Sequence, residues 1–189
     1  MTVTKRILNG NTALYPVPAA LITCADGSGQ NNIITLAWVG TVCSEPPLVA
    51  IGVRPTRHSH RMIKDSGEFV VNLPRADQVR AADYCGMYSG REVDKFAATG
   101  FTPAPASQVK APLIAECPVA LECKVRQILS LGSHDVFIGE VVAVQADEDV
   151  LQGQRLDPAK LSPLAYVAGS YWSLGEQVGV HGVSRRSTE

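Results

Sequence analysis

The chain has 189 residues, 46% of them hydrophobic and 19% charged, with a formal net charge of −1. That is enough for one domain with a real core, and Lys and Arg scattered through a near-neutral chain argue against nucleic acid as a partner. No run approaches the roughly 20 apolar residues that span a bilayer, residues 1–11 carry no apolar signal region, and five cysteines without C-x-x-C spacing do not read as a disulfide framework, so no membrane association and a reducing cytoplasm are expected.

Taken in chain order, Ala19–Cys24 is a compact apolar run, and Asp26-Gly27-Ser28-Gly29 turns the chain into Asn32–Val39, so 19–39 reads as a hairpin. Pro46-Pro47 ends the next loop, and Leu48–Val53 is apolar on both faces, as in a closed barrel or between layers. Ser59–Ser66 reads as helical turns with Ser59 able to cap and Met62 and Ile63 inward. Glu68–Leu73 returns as a strand stopped by Pro74. Ala76–Cys85 has helical character, with Val79, Ala82 and Tyr84 as its apolar positions, and a short helix follows around Val93–Ala98. Phe101–Pro118 is expected to be mostly irregular.

Two long strands follow, Ala120–Leu131 and His134–Ala146. In the first, Leu121, Cys123 and Val125 alternate with Glu122, Lys124 and Arg126, and the phase slips at Gln127-Ile128, which predicts a bulge. A helical turn at Asp157–Lys160 precedes a strand at Leu164–Ala168. Residues 1–175 are expected to form one domain, and 176–189 a tail that is mobile or lies on a partner subunit. The whole is mainly β with short helices, an antiparallel barrel with helical insertions.

Several common chemistries have no support. There is no G-x-G-x-x-G, no Walker-type loop and no G-x-S-x-G. His58 and His60 lack a Cys partner at metal-ligand spacing, and Cys117 and Cys123 lack a second pair, so no metal site is expected. What remains is Arg54-Pro55-Thr56-Arg57-His58-Ser59, directly after a buried strand. Two guanidiniums, hydroxyls and a helix N-terminus suit a phosphate dianion. A solvated basic turn whose Ser59 only caps the helix is the alternative.

The stretches P-A-A-L-I-T-C-A-D-G-S-G-Q-N-N-I-I-T-L-A-W, P-P-L-V-A-I-G-V-R-P-T-R-H-S, E-F-V-V-N-L-P, S-G-R-E-V-D-K-F and S-H-D-V-F-I-G-E-V occur in that order between about Tyr15 and Gly175. Together they resemble the flavin reductase-like family of FMN-binding proteins, and its flavoredoxin branch in particular. The resemblance implies an antiparallel Greek-key split β-barrel, FMN as cofactor and a homodimer. It also implies hydride transfer from NADH or NADPH to flavin, then electrons to free flavin, oxygen or a redox protein. A flavoredoxin-type carrier reduced by a partner protein is the alternative.

By the same resemblance, Asn32, Thr35 and Trp38, with backbone of Leu36 and Ala37, border the flavin: an amide and a hydroxyl meet the pyrimidine edge and an indole walls the ring. A core aromatic is the other reading of Trp38. Arg54, Arg57 and Ser59, assisted by Thr56, hold the phosphate. Asn72 either touches the ribityl chain or caps its own turn. Lys95 sits near the flavin, where a cation stabilises the reduced anion, or else snorkels beside Phe96 at the surface. His134 is the candidate catalytic residue, with a positioning role and no acid–base work. Val167, flanked by Tyr166, stands where relatives present an aromatic ring, and Tyr171 or Trp172, from this subunit or the other, could substitute.

Overall fold

The computed structural model describes residues 4–185, so the ends of the expected domain and tail lie outside the described residues. The chain forms β1 (Ala20–Ala25), β2 (Asn31–Leu36), β3 (Val39–Cys43), β4 (Leu48–Val53), α1 (His58–Ser66) and β5 (Glu68–Leu73). It continues through a 3₁₀ turn into α2 (Val79–Met87), α3 (Lys95–Thr99), β6 (Val119–Ser130), β7 (Asp135–Ala146), α4 (Pro158–Leu161), β8 (Leu164–Val167) and β9 (Ser170–Ser173). Seven strands make one antiparallel sheet in the order β2-β1-β5-β6-β7-β4-β3. A smaller sheet joins Val17–Pro18, β8 and β9.

That order dictates the curvature. β2 and β3 lie at opposite edges, yet only Ala37 and Trp38 separate them in the chain. A flat sheet of this size is about 29 Å wide, whereas the link from Leu36 to Val39 reaches at most about 11 Å. The sheet must therefore roll until its edges almost meet. The seam is left without a ladder between β2 and β3, and the barrel is split there. The expected single strand 32–39 is accordingly two strands, because the chain leaves one edge at Leu36 and joins the other at Val39.

Inside the barrel, Ile22, Ile51, Val53, Ile63, Phe69, Cys123 and Phe137 are fully buried. The ladder between β6 and β7 slips twice, leaving Arg126 and Val142 without a partner, so the expected bulge is one residue earlier than the phase slip indicated. Glycine at position 139 is required by close approach: a Cβ there would stand 2.5 Å from Phe69 Cζ.

Two expectations about polar residues change. Ser59 does not cap α1. The cap is Arg57, without a side-chain bond, and Ser59 is buried inside the first turn. Glu122, expected to alternate outward, is fully buried. Its carboxylate accepts from Ser107 N and Oγ, Gln108 N and Gln145 Nε2, at 2.6 to 3.0 Å. Those bonds pin the connection 101–118, which is irregular apart from the short pairing of Pro103–Ala104 with Leu113–Ile114. Burial alone would raise the Glu122 pKa, but the bonds from Gln145, Ser107 and Gln108 hold it below the ordinary carboxylate value.

The cysteines are free thiols. Burial pushes Cys24 and Cys123 up to about 12 and Cys85 to about 11, so these are packing residues and not nucleophiles. Among the described residues, no helix is long and apolar enough to cross a membrane and no cluster has a metal-ligand arrangement.

Candidate functional site

The seam of the split barrel opens into a groove with two communicating parts. The larger, about 520 Å³, runs along Ile34, Thr35, Leu36, Ala37 and Trp38. The smaller, about 330 Å³, is lined by Asn32, Thr56, Arg57, His58, Ser59, Arg91 and Lys95. Ile34, Arg54, Arg57 and Gly86 border both, so the two arginines stand at the neck. Sizes in this range are ordinary for cofactor sites.

β2 supplies the floor because it is an edge strand. Its outer backbone groups have no ladder partner, and Lys95 Nζ takes one of them, Ile33 O, at 2.7 Å. In an antiparallel strand alternate residues turn their N–H and C=O to the same side. The N–H and C=O of Thr35 therefore open on the edge where Ile33 O points, against the larger cavity. The Thr35 hydroxyl is spent on Ala82 O. What this residue offers a ligand is backbone, not the hydroxyl expected from sequence.

Trp38 is a wall residue, not a core aromatic: 37% of its surface is exposed. It lies over Gly52, where a Cβ would come within 3.0 Å of the Trp38 Cβ. Gly86 likewise lets α2 approach Thr35, with 3.3 Å left for a Cβ. Gly90 accommodates Asn32, since a Cβ there would stand 2.1 Å from Asn32 Oδ1. These glycines read in sequence only as turn or strand residues. Their signal is spatial, and a single chain does not display it.

Arg54 directly follows β4 and Arg57 is the N-cap of α1. Both are exposed, and neither has a carboxylate partner among the described residues. Arg91, within the S-G-R-E-V-D-K-F stretch, donates to Thr56 O at 3.2 Å and fixes this turn. The smaller cavity thus gathers Arg54, Arg57, Arg91 and Lys95 against one carboxylate, Glu92. Ser59 is oriented from behind by Asn32, whose Nδ2 donates to its Oγ at 2.8 Å. That bond places Asn32 with the polar end and not, as expected, with the ring-sized part.

Lys95 is not a surface lysine. It is 4% exposed, and its Nζ donates to Ile33 O and Cys85 O, each at 2.7 Å. Burial lowers its pKa to about 8; Cys85 opposes that shift and Arg57 adds to it. Asn72 does neither of the things expected of it. It is fully buried away from the groove, donates to Leu21 O and Thr23 Oγ1, and accepts from Ile114 N.

His134 borders the larger cavity just ahead of β7, with Nδ1 2.9 Å from Ser133 Oγ. Burial, then Arg54, lowers its pKa, so the ring is neutral at pH 7. Behind it lies a pair missed in sequence: His60 Nε2 and Asp135 Oδ2 are 2.8 Å apart, tying α1 to the start of β7. Of the two aromatic substitutes, Tyr171 lines the larger cavity, paired edge-on at 5.7 Å with Tyr166, which also lines it, while Trp172 does not.

A positively charged neck, a polar pouch and a slot floored by open backbone and walled by aromatic rings fit a ligand with an anionic end and a flat, hydrogen-bonding end. A family model described as "Flavin reductase like domain" matches residues 12–175. The structure is similar to the flavoredoxin of Desulfovibrio vulgaris (Miyazaki F), with a TM-score of 0.90 and 35% identity over 97% of this chain and 100% of that one. It is similar to the flavoredoxin of Methanosarcina acetivorans, with a TM-score of 0.90 and 32% identity over 96% and 97%. In sequence it is 28% identical over 149 residues to an NADH:riboflavin 5'-phosphate oxidoreductase of Streptomyces pristinaespiralis, covering 79% of this chain and 77% of that protein.

Proposed function

The chain belongs to the flavin reductase-like family, and on that footing we propose that it binds FMN in the seam groove and works as an oxidoreductase, accepting a hydride from NADH or NADPH and passing electrons on. The observation that carries this reading is the pair Arg54 and Arg57, without carboxylate partners among the described residues, at the neck between the two cavities. A phosphate monoester there gains charge-assisted bonds from both guanidiniums, with the first turn of α1 behind it.

When bound, FMN supplies the ring that takes up and releases electrons. The chain's own work is placement. Thr35 offers a backbone donor and acceptor to a pyrimidine edge, Trp38 shields one flank, and His134 shapes the cavity as a neutral ring. Lys95, held by two carbonyls, presents its charge to the polar end.

That charge makes binding pH-dependent. Lys95 without ligand loses its proton above about 8, and a phosphate dianion favours the protonated form. FMN affinity is expected to fall as pH rises from 8 to 9.5, by up to roughly tenfold per unit. Lys95→Met should bind more weakly at pH 7 and lose that slope. Fluorescence titration of FMN against pH checks it, and a wild-type slope no steeper than the variant's would contradict the role.

The likeness to flavoredoxins supports a second reading, an electron carrier reduced by a partner protein. Anaerobic mixing with NADH or NADPH separates the two. Rapid bleaching of the bound flavin supports the reductase, and a flavin that stays yellow supports the carrier.

We also propose a homodimer. Ile7, Leu8 and Leu14 near one end, and Leu174, Val178, Val180 and Val183 near the other, are exposed apolar residues on segments without regular structure. A second copy would cover them, and Thr12 and Tyr15 bring the first segment to the groove. Light scattering at micromolar concentration should give twice the monomer mass, and a monomer would overturn the proposal.

A further inference from the structure

The larger cavity is not uniform in charge. Asp83, Gly86 and Met87 fall at i, i+3 and i+4 on one face of α2, and all three line it. Gly86 also borders the polar pouch, but Asp83 does not. Going from Gly86 back to Asp83 moves about 4.5 Å along the helix, away from Arg91 and the phosphate end. Asp83 is the one carboxylate among the residues lining the larger cavity, and it has no basic partner among the described residues.

Its surroundings are aromatic. Tyr171 donates its hydroxyl to Asp83 Oδ1 at 3.1 Å. Tyr166 sits opposite Tyr171 in the β8–β9 ladder and meets its ring edge-on. Tyr15 and Trp38 line the same cavity. Burial and the Asp83 carboxylate push the Tyr171 hydroxyl up to about 12, so it remains a donor and holds the carboxylate in place. One oxygen of Asp83 is engaged by Tyr171, and the hydrogen bonds of the structure leave the other without a partner.

A carboxylate beside electron-rich rings is the recognised chemistry for an organic cation: the charge pairs with the carboxylate, and its face is attracted to the ring quadrupoles. We propose that the Asp83 end of the groove is a subsite for a planar organic cation of the pyridinium type, selected over the neutral ring of the same shape. It rests on the groove being the ligand site assigned above, but not on FMN being its occupant. The groove is then bipolar. Arg54 and Arg57 take an anionic group at one end, while Asp83 and the tyrosines take a cationic ring at the other. In the reductase reading, the subsite favours the oxidised, cationic nicotinamide over the reduced, neutral one.

The test is a titration of the FMN-loaded protein with 1-methylnicotinamide and, separately, with uncharged nicotinamide, followed by perturbation of the flavin spectrum. The cation is expected to bind about tenfold more tightly than the neutral ring. Asp83→Asn keeps the shape of an exposed residue and should abolish that preference, leaving binding of neutral nicotinamide unchanged. Tyr171→Phe should reduce the preference a few-fold. If the protein retains no FMN, the assignment of the cofactor fails, but the cation preference is still expected, read then from tryptophan emission. Equal binding of the two probes to the wild type, or a preference that survives Asp83→Asn, overturns the proposal.

Discussion

Replacing Arg54 and Arg57 together by alanine is expected to weaken FMN binding by about a hundred- to ten-thousandfold while leaving the fold intact. A hydrogen bond to a charged group contributes about 1.5 to 3 kcal/mol, and every 1.4 kcal/mol is tenfold in affinity. Both side chains stand at the neck of the groove and are exposed, so little packing is lost with them. Arg91 and Lys95 remain in the pouch and retain part of the attraction. The residual binding should therefore still weaken with added salt. Riboflavin, which has no phosphate, should bind the variant and the wild type alike. An unchanged FMN affinity, measured by fluorescence titration, would remove the phosphate from this end of the groove.

The second large effect lies far from the groove. Glu122→Gln is expected to cost about 3 kcal/mol, lowering Tm by about 6 to 12 °C for a chain of this size. The carboxylate is fully buried and accepts from two backbone N–H groups, a hydroxyl and an amide. An amide side chain keeps one acceptor but turns an N–H toward donors that already point inward. Desolvated donors are then left unmet. The pH dependence has a definite sign. A carboxylate whose pKa is lower folded than unfolded gives stability that is present above the unfolded value and lost as pH falls through the folded one. Wild-type stability should therefore decline below about pH 4.5, and Glu122→Gln should flatten that decline. Thermal unfolding against pH reads both effects. A variant as stable as wild type at pH 7 would mean the 101–118 connection does not depend on this anchor.

Much of this architecture was legible because the signals were local. The alternation in Leu121–Val125, the turn at Asp26–Gly29 and the apolar run Leu48–Val53 each report on near neighbours in the chain, and the strands follow. Arg54 and Arg57 were legible for the same reason: two cations and a helix start lie within a few residues. What escaped was set by distance. Nothing near Glu122 in sequence announces Ser107, Gln108 and Gln145 as its partners, so alternation placed it outward. The break after Leu36 is imposed by barrel closure and leaves no local mark, since Asn32–Val39 is apolar enough to be one strand. The strand-end position of Asn72 points to the site, whereas its amide bridges β1 and Ile114. Asp83 and Tyr171 meet only once α2 and the small sheet are in place.

Whether the seam groove holds FMN is read most directly from the visible absorption spectrum. The purified protein is mixed with FMN, freed of excess by gel filtration and scanned. A retained two-banded flavin spectrum near one equivalent, absent when riboflavin replaces FMN and absent in the Arg54→Ala, Arg57→Ala protein, is the expected result. A colourless wild-type protein after the same treatment would contradict a resident flavin.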